Sequence, residues 1–260
     1  MTAPEVSVVI PFFEEEANVA PLFEELLPIL DGMGLGFEVV GVDDGSTDAT
    51  RARLYEVAAR RDEVRVLHFE KNHGQTAAFE AGFAAARGRW IVTMDGDLQI
   101  DPADVPRMLA YCDERGVDFV YGWRKDRKDN FVKRASTRIA NAVRNFLTHE
   151  RITDTGCPLK VFRAEILHRM KLFNGMHRFL ITLAHMDGWT SAEMVVAHRH
   201  RQHGRSKYGV MNRVFRALRD CFSVRWMMKR HLRYDVAESP ASATGDEPGG
   251  GDRGSEAAES

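Results

Sequence analysis

Residues 90–99 read Trp90-Ile91-Val92-Thr93-Met94-Asp95-Gly96-Asp97-Leu98-Gln99, an apolar run of strand length that stops abruptly at two carboxylates separated by one glycine. Strands buried on both faces of a parallel sheet read as continuous apolar runs, and ligands of open α/β sheets sit beyond the carboxyl ends of their strands. Asp95 and Asp97 are therefore expected at a sheet edge, with Gly96 letting the backbone turn between them. Two hard oxygen donors with room for phosphate oxygens beside them suit Mg²⁺ or Mn²⁺ better than zinc. A plain surface turn is the competing reading, because Asp-Gly pairs are common turn formers.

Outward from this stretch the same alternation repeats. On its N-terminal side lie an Ala-rich helix from Gln75 to Ala86 and a strand from Arg65 to Phe69. Before them comes a strand from Phe37 to Val42 that runs into Asp43-Asp44-Gly45-Ser46-Thr47-Asp48. Those polar residues can cap a helix beginning near Ala49. Val6 to Ile10 reads as the first strand, stopped by Pro11. Val19, Leu22, Phe23, Leu26, Leu27 and Leu30 follow at the spacing of one helix face, with Pro21 in the first turn and Gly32 to Gly36 ending the helix. On the C-terminal side, Pro102 to Glu114 is helical and Val117 to Tyr121 a fifth strand. Strands and helices alternating at these short spacings predict an α/β fold with a doubly wound, mostly parallel sheet flanked by helices.

Beyond residue 125 the pattern is less regular. Phe131 to Phe146 reads as a basic helix, Arg163 to Leu172 and His177 to Asp187 as short helices, and Ala192 to Val196 as a strand. Met211, Phe215, Leu218, Phe222 and Trp226 recur at helical spacing, with Arg213, Arg216, Arg219 and Arg230 assigned to the other side. Three parts are expected: residues 1–208 as the main domain, 209–234 as a basic amphipathic helical segment, and 235–260 as a disordered acidic tail.

Size and composition bound the function classes. At 260 residues, 44% apolar and 28% charged, the chain can bury one large core. A formal net charge of −2 gives no whole-chain reason to expect nucleic acid as a partner. The distribution is uneven: Arg199 to Tyr234 carries nine Arg and two Lys against Asp220, whereas Asp235 to Ser260 carries seven acids and one Arg. Cys112, Cys157 and Cys221 are too far apart for a local metal motif, which suits a reduced, cytoplasmic setting. No signal peptide or membrane-length apolar run is read, so membrane contact is expected to be peripheral, at the inner face. A homo-oligomer stays open.

Eight stretches together resemble one family: VVIPFFEEEANV, VDDGSTDAT, KNHGQTAAFEAGFAAARG, TMDGDLQIDP, YGWRKDR, DTGCPLKVFR, GMHRF and RQHGRSKYG. They cover most of residues 6–209. In this order they resemble the family 2 inverting glycosyltransferases of GT-A fold, and more narrowly the polyprenyl-phosphate glycosyltransferases, a group that includes dolichol-phosphate mannosyltransferase. The resemblance implies that Pro11, Phe13 and Glu15 cradle a nucleoside and that Asp43 and Asp44 contact its base and ribose. It further implies that Asp95 and Asp97, with Gln99, hold Mg²⁺ or Mn²⁺ on the donor diphosphate. Arg124, Arg134 and Arg138 match cations that hold donor and acceptor phosphates, and Asp154 an acidic residue near the sugar. Arg201, Ser206 and Lys207 match a segment facing the acceptor phosphate. Glu14 stands where the family carries Asn. Many family members continue into transmembrane helices where this chain has its acidic tail.

The expected chemistry fits these residue types. Inverting transfer needs a nucleophile in line with the anomeric carbon and a stabilised leaving diphosphate, and a metal supplies several kcal/mol to the latter. A lipid phosphate is already anionic and needs no strong general base. Its difficulty is approaching another anion, which Arg and Lys offset, Arg by bidentate contact. The leading expectation is therefore sugar transfer from a nucleotide-sugar to polyprenyl phosphate. Two alternatives stand beside it: the same chemistry on a soluble sugar or protein hydroxyl, with Asp154 as base, or a non-catalytic nucleotide-sugar-binding module. Lys125, Arg127 and Lys128 read as a solvated loop, His177, His185, His198 and His200 as structural, and Cys157 as a buried small residue. The segment 209–234 either packs on the domain or lies on an anionic membrane.

Overall fold

The computed structural model describes residues 3–125, 142–199 and 210–232, with side chains of 210–217 left aside. Within them a seven-stranded sheet has the order β3-β2-β1-β4-β6-β5-β7. Its strands are β1 (Val6–Phe12), β2 (Phe37–Asp43), β3 (Val64–His68), β4 (Trp90–Thr93), β5 (Phe119–Trp123), β6 (Lys160–Arg163) and β7 (Ser191–Val195). β6 runs antiparallel to β4 and β5, and every other neighbouring pair is parallel. The helices are α1 (Glu16–Asp31), α2 (Thr50–Ala58), α3 (Gln75–Ala85), α4 (Asp104–Arg115), α5 (Ala164–Arg169), α6 (Leu180–Met186) and α7 (Val210–Arg230), with a 3-10 turn at Met176–Phe179 and a further helical stretch over 142–148. The sheet is thus mixed and mostly parallel, as expected.

Alternation along β1 sorts its side chains onto two cores. Val6, Val8, Ile10 and Phe12 join α1 and α4 on one face. Val9 joins Phe79 and Phe83 of α3 on the other. The predicted stripe of α1 is buried throughout, from Val19 to Leu30, each large side chain contributing roughly 1.5–3 kcal/mol. α3 lies close on the sheet because Gly82 faces Val9, where a Cβ would stand 2.3 Å from Val9 Cγ1. That approach carries the first residue of α3 to the end of β4.

Several expected boundaries move, for identifiable reasons. β1 continues through Pro11 to Phe12 instead of stopping at Ile10. Val9 O still accepts from Met94 N, but β4 has ended there, so the missing N–H of Pro11 costs no ladder bond. α1 begins at Glu16, which puts Pro21 inside the helix and not in its first turn. Its start is fixed from outside, by Glu15 N donating to Thr50 Oγ1 at 2.8 Å and Glu16 N to Asp48 Oδ2 at 3.3 Å. β5 begins at Phe119 and not at Val117, because Val117 N still caps α4 by donating to Cys112 O. β6 was not anticipated: Lys160–Arg163 is a strand, and the helix expected from Arg163 is the shorter α5. The expected basic helix from Phe131 falls largely outside the described residues, as does the tail.

α7 belongs to the same compact unit as the sheet, which runs from Met1 to Arg230. Cys221 and Val224 pack with Met176, Phe179 and Leu183. Phe222 and Trp226 face outward instead, 60% and 63% exposed. Arg219 lines a groove with them, together with Phe173, Ser223 and Met227, so it shares their face and does not oppose it.

Candidate active site

β1, β2, β4 and β5 all point their carboxyl ends to one edge, and antiparallel β6 starts there. Five expected site segments therefore converge: Pro11 to Glu15, Asp43-Asp44, Asp95 to Gln99, Arg124, and the loop that carries Asp154 into β6. Register places Phe12 beside Asp43, and Thr93 beside Lys160.

Asp43 and Asp44 are buried and engaged within the protein. Asp43 Oδ2 meets Arg51 Nε at 2.8 Å, and its Oδ1 accepts from Ser46 N at 3.1 Å. Asp44 clamps the following loop, accepting from His73 N at 2.7 Å, Gly74 N at 2.9 Å and Asn72 Nδ2 at 2.9 Å. Burial raises the Asp44 pKa against the opposing pull of those backbone donors. Pro11, Phe13 and Glu15, at and just beyond the end of β1, are half-buried. Glu14 adopts φ 55 and its carboxylate accepts from Thr47 N at 2.8 Å. A left-handed backbone is one that Asn tolerates well, which gives a conformational reason for the Asn that the resemblance implies at this position.

The central motif sits at the rim of the sheet. Asp95 is half-buried, and its Oδ1 accepts from Gln75 Nε2 at 2.8 Å. Asp97 is oriented locally: its Oδ1 accepts from Gln99 N at 3.2 Å, across Leu98 at φ 58. A buried leucine in the left-handed region is strained by roughly 1–3 kcal/mol, which surrounding structure must offset. Gly96 has no alternative, since a Cβ would lie 2.7 Å from Phe12 Cδ1 and Cε1. Gln99 O accepts from Arg199 N at 2.8 Å, and Arg199 is itself anchored to Asp101 at 2.8 Å. No group of three or more His, Cys, Asp or Glu side chains able to hold a metal occurs among the described residues. The carboxylates of Asp95 and Asp97 are hard oxygen donors, the kind that divalent cations bound to phosphates take.

Arg124 and Asp154 face each other. Arg124 Nε and Nη2 bind Asp154 Oδ2 and Oδ1 at 2.7 and 2.9 Å, a bidentate pair that is almost fully buried. Burial works against the Arg124 charge, but the hydrogen bond and charge of Asp154 prevail and raise its pKa. Beside them lies Lys160, which the sequence reading passed over. Its ammonium donates to Cys157 O, and burial lowers its pKa against the nearby Cys157, Asp95 and Asp154. A lysine inside the apolar run Leu159-Lys160-Val161-Phe162 was the available signal. Gln75 was also missed, though it lies in a quoted motif. Cys157 is buried and its thiol is pushed up to about 11 by burial, as a structural cysteine would be. All three cysteines are free. Arg134, Arg138, Arg201, Ser206 and Lys207 lie outside the described residues.

Residues 7–171 match the family described as Glycosyl transferase family 2. The chain belongs to that family. Among curated relatives, a dodecaprenyl-phosphate galacturonate synthase from Rhizobium johnstonii is 40% identical over 88% of this chain and 69% of its own length. An undecaprenyl-phosphate 4-deoxy-4-formamido-L-arabinose transferase from Edwardsiella ictaluri is 35% identical, over 79% of this chain and 63% of its own. The chain thus spans about two thirds of these relatives. Among solved structures, glucosyl-3-phosphoglycerate synthase from Mycobacterium tuberculosis, in complex with Mn²⁺, UDP and glucosyl-3-phosphoglycerate, superposes with a TM-score of 0.67. It is 19% identical and covers 86% of this chain and 80% of that one, a likeness of fold. As a family 2 member the chain has the expected GT-A architecture, with the Asp95-Gly96-Asp97 motif at the carboxyl edge of its parallel strands.

Proposed function

We propose that this family 2 glycosyltransferase moves a sugar, with inversion, from a nucleotide-sugar to a polyprenyl phosphate at the cytoplasmic face of a membrane, with Mg²⁺ or Mn²⁺ as cofactor. Two relatives named for polyprenyl-phosphate sugar transfer support the acceptor. A neighbour of like fold that holds Mn²⁺ and UDP supports the donor and metal. When bound, the divalent ion would neutralise charge on the leaving diphosphate. Asp95 and Asp97 would hold it, with Gln99 beside them, while Pro11, Phe13 and Glu15 would seat the nucleoside over the buried Asp43 and Asp44. An acceptor phosphate oxygen forms its bond to the anomeric carbon as the carbon–oxygen bond to the diphosphate breaks. The electron pair leaves with the nucleoside diphosphate.

The observation that favours a phosphate acceptor is the Arg124–Asp154 pair. A hydroxyl acceptor needs a general base, and the carboxylate placed for that task has both oxygens bound by a guanidinium. Proton transfer to either oxygen would have to displace one of these hydrogen bonds. A phosphate brings its own negative charge and needs no such base; it needs positive neighbours, and Arg124 is a candidate whose charge Asp154 offsets in part. In the sequence, Arg134, Arg138, Arg201, Ser206 and Lys207 are the further candidates for its oxygens. Membrane contact would come through α7, whose outward Phe222 and Trp226 lie beside Arg219, with Arg230 6.0 Å from the Trp226 ring. No helix among the described residues is long and apolar enough to cross a membrane.

Incubation of the full chain with Mn²⁺, polyprenyl phosphate and a panel of UDP- and GDP-sugars tests the reading. One donor should yield a lipid-linked sugar, lost when the metal is chelated. Product on a soluble hydroxyl acceptor, with none on lipid from any donor, would refute it.

A further inference from the structure

We propose that Gln75 is a positioning residue for the cation-binding motif, holding the carboxylate of Asp95 in its working orientation. This rests on the reading of Asp95 and Asp97 as ligands of a divalent ion. The two carboxylates accept bonds from different places. Asp97 accepts from Gln99 N within its own turn. Asp95 accepts from another element, because Gln75 Nε2 reaches it from the first turn of α3 at 2.8 Å.

The anchoring of Gln75 makes that contact directional. On its N-terminal side, Asp44 binds Asn72, His73 and Gly74. On its C-terminal side, Thr76 Oγ1 accepts from Gly175 N at 2.9 Å and meets His177 Nδ1 at 2.6 Å. The backbone carrying Gln75 is therefore fixed from both directions, and Gly82 lets the whole helix lie close to the sheet. A side chain held this way loses little further freedom in making its bond.

The chemical type matters as well. An amide donates one N–H and fixes the rotation of the carboxylate without cancelling its charge. A lysine or arginine at the same place would form an ion pair and compete with the cation. Groups that orient metal-ligating carboxylates in this way typically account for about 10–100-fold in metal affinity.

The test uses the full chain and its Gln75→Leu and Gln75→Met variants, both apolar and of similar volume. Mn²⁺ is titrated in the presence of UDP, with the free ion followed by its spin-resonance signal, and thermal unfolding is measured without metal. The expected result is Mn²⁺ binding weakened about 10–100-fold in both variants, with melting temperatures within about 3 °C of the parent. Sugar transfer by the variants should recover as Mn²⁺ is raised. Variants that bind Mn²⁺ as tightly as the parent would overturn the proposal. So would a loss of affinity that only follows an equal loss of stability, since a simple tether between α3 and β4 predicts that. Absence of Mn²⁺ binding by the parent itself would instead refute the metal reading on which the proposal rests, and the proposal with it.

Discussion

At the scale of single residues, Gly96 shows how little latitude the motif has. Its Cα faces the Phe12 ring, which is buried and stacked on Phe23 at 6.3 Å between centroids. The ring cannot swing away without disturbing the α1 core. Gly96→Ala should therefore cost about 1–3 kcal/mol of stability by overpacking. It should also move Asp95 and Asp97 apart, and displacements near 1 Å can cost about 100-fold in rate. Urea unfolding and initial-rate assays on one preparation separate the two effects. Adding Phe12→Leu should restore part of the activity, because it vacates the space that the new methyl group needs. Full activity in Gly96→Ala alone would show that the motif does not depend on this contact. Asp154 carries the complementary lesson: a carboxylate that the sequence offers as a base stands in a buried bidentate pair with Arg124.

At the scale of elements, the two halves of the sheet were legible to different degrees. β1 to β4 and the helices between them follow from apolar runs, amphipathic spacing and capping residues, and were placed to within a few residues. β6 was hidden because a four-residue antiparallel strand has no periodicity of its own. Lys160 breaks even its apolar run, and the strand exists only because β4 and β5 leave a slot between them. The placement of the candidate site residues was legible where side chains follow strand ends directly, as at Asp95 and Asp97. It was illegible where a partner comes from a distant element, as with Gln75 or the Arg124–Asp154 pair. α7 was legible as a helix but not in its orientation: the aromatic stripe could have faced the domain, and Cys221 and Val224 do so instead. Large exposed aromatics bordered by arginine suit an interface with lipid headgroups. Replacing Phe222 and Trp226 together by Ser should reduce co-sedimentation with vesicles containing anionic lipid by at least about 10-fold, from lost aromatic burial. Because both side chains are exposed, unfolding midpoints should change little. Undiminished vesicle binding would move the membrane contact elsewhere on the chain.

At the scale of the whole molecule, α3 and the turn at Met176–Phe179 are joined across 101 residues of sequence by Thr76 and His177. The Thr76 hydroxyl accepts from Gly175 N and has its own proton to give to His177 Nδ1, which fits a neutral imidazole. Burial, aided by the charges of Arg178 and Lys160, lowers the His177 pKa to about 3. In the unfolded chain the ring titrates near its ordinary value of about 6.5. Between those two values the unfolded state binds a proton that the folded state refuses, so stability rises with pH and falls as the solution is acidified. Above about pH 6.5 the penalty is absent. The limiting slope is about 1.4 kcal/mol per pH unit, and partial exposure of the ring makes the actual slope smaller. His177→Asn keeps an acceptor for Thr76 but has no titrating group. It should be less stable than the parent at pH 7.5, and the gap should narrow by about 1 kcal/mol at pH 5. Urea unfolding of both proteins across that range measures the gap directly. A gap that stays constant would mean that His177 takes up its proton in the folded state as readily as in the unfolded one. The bond to Thr76 would then not be holding the ring neutral.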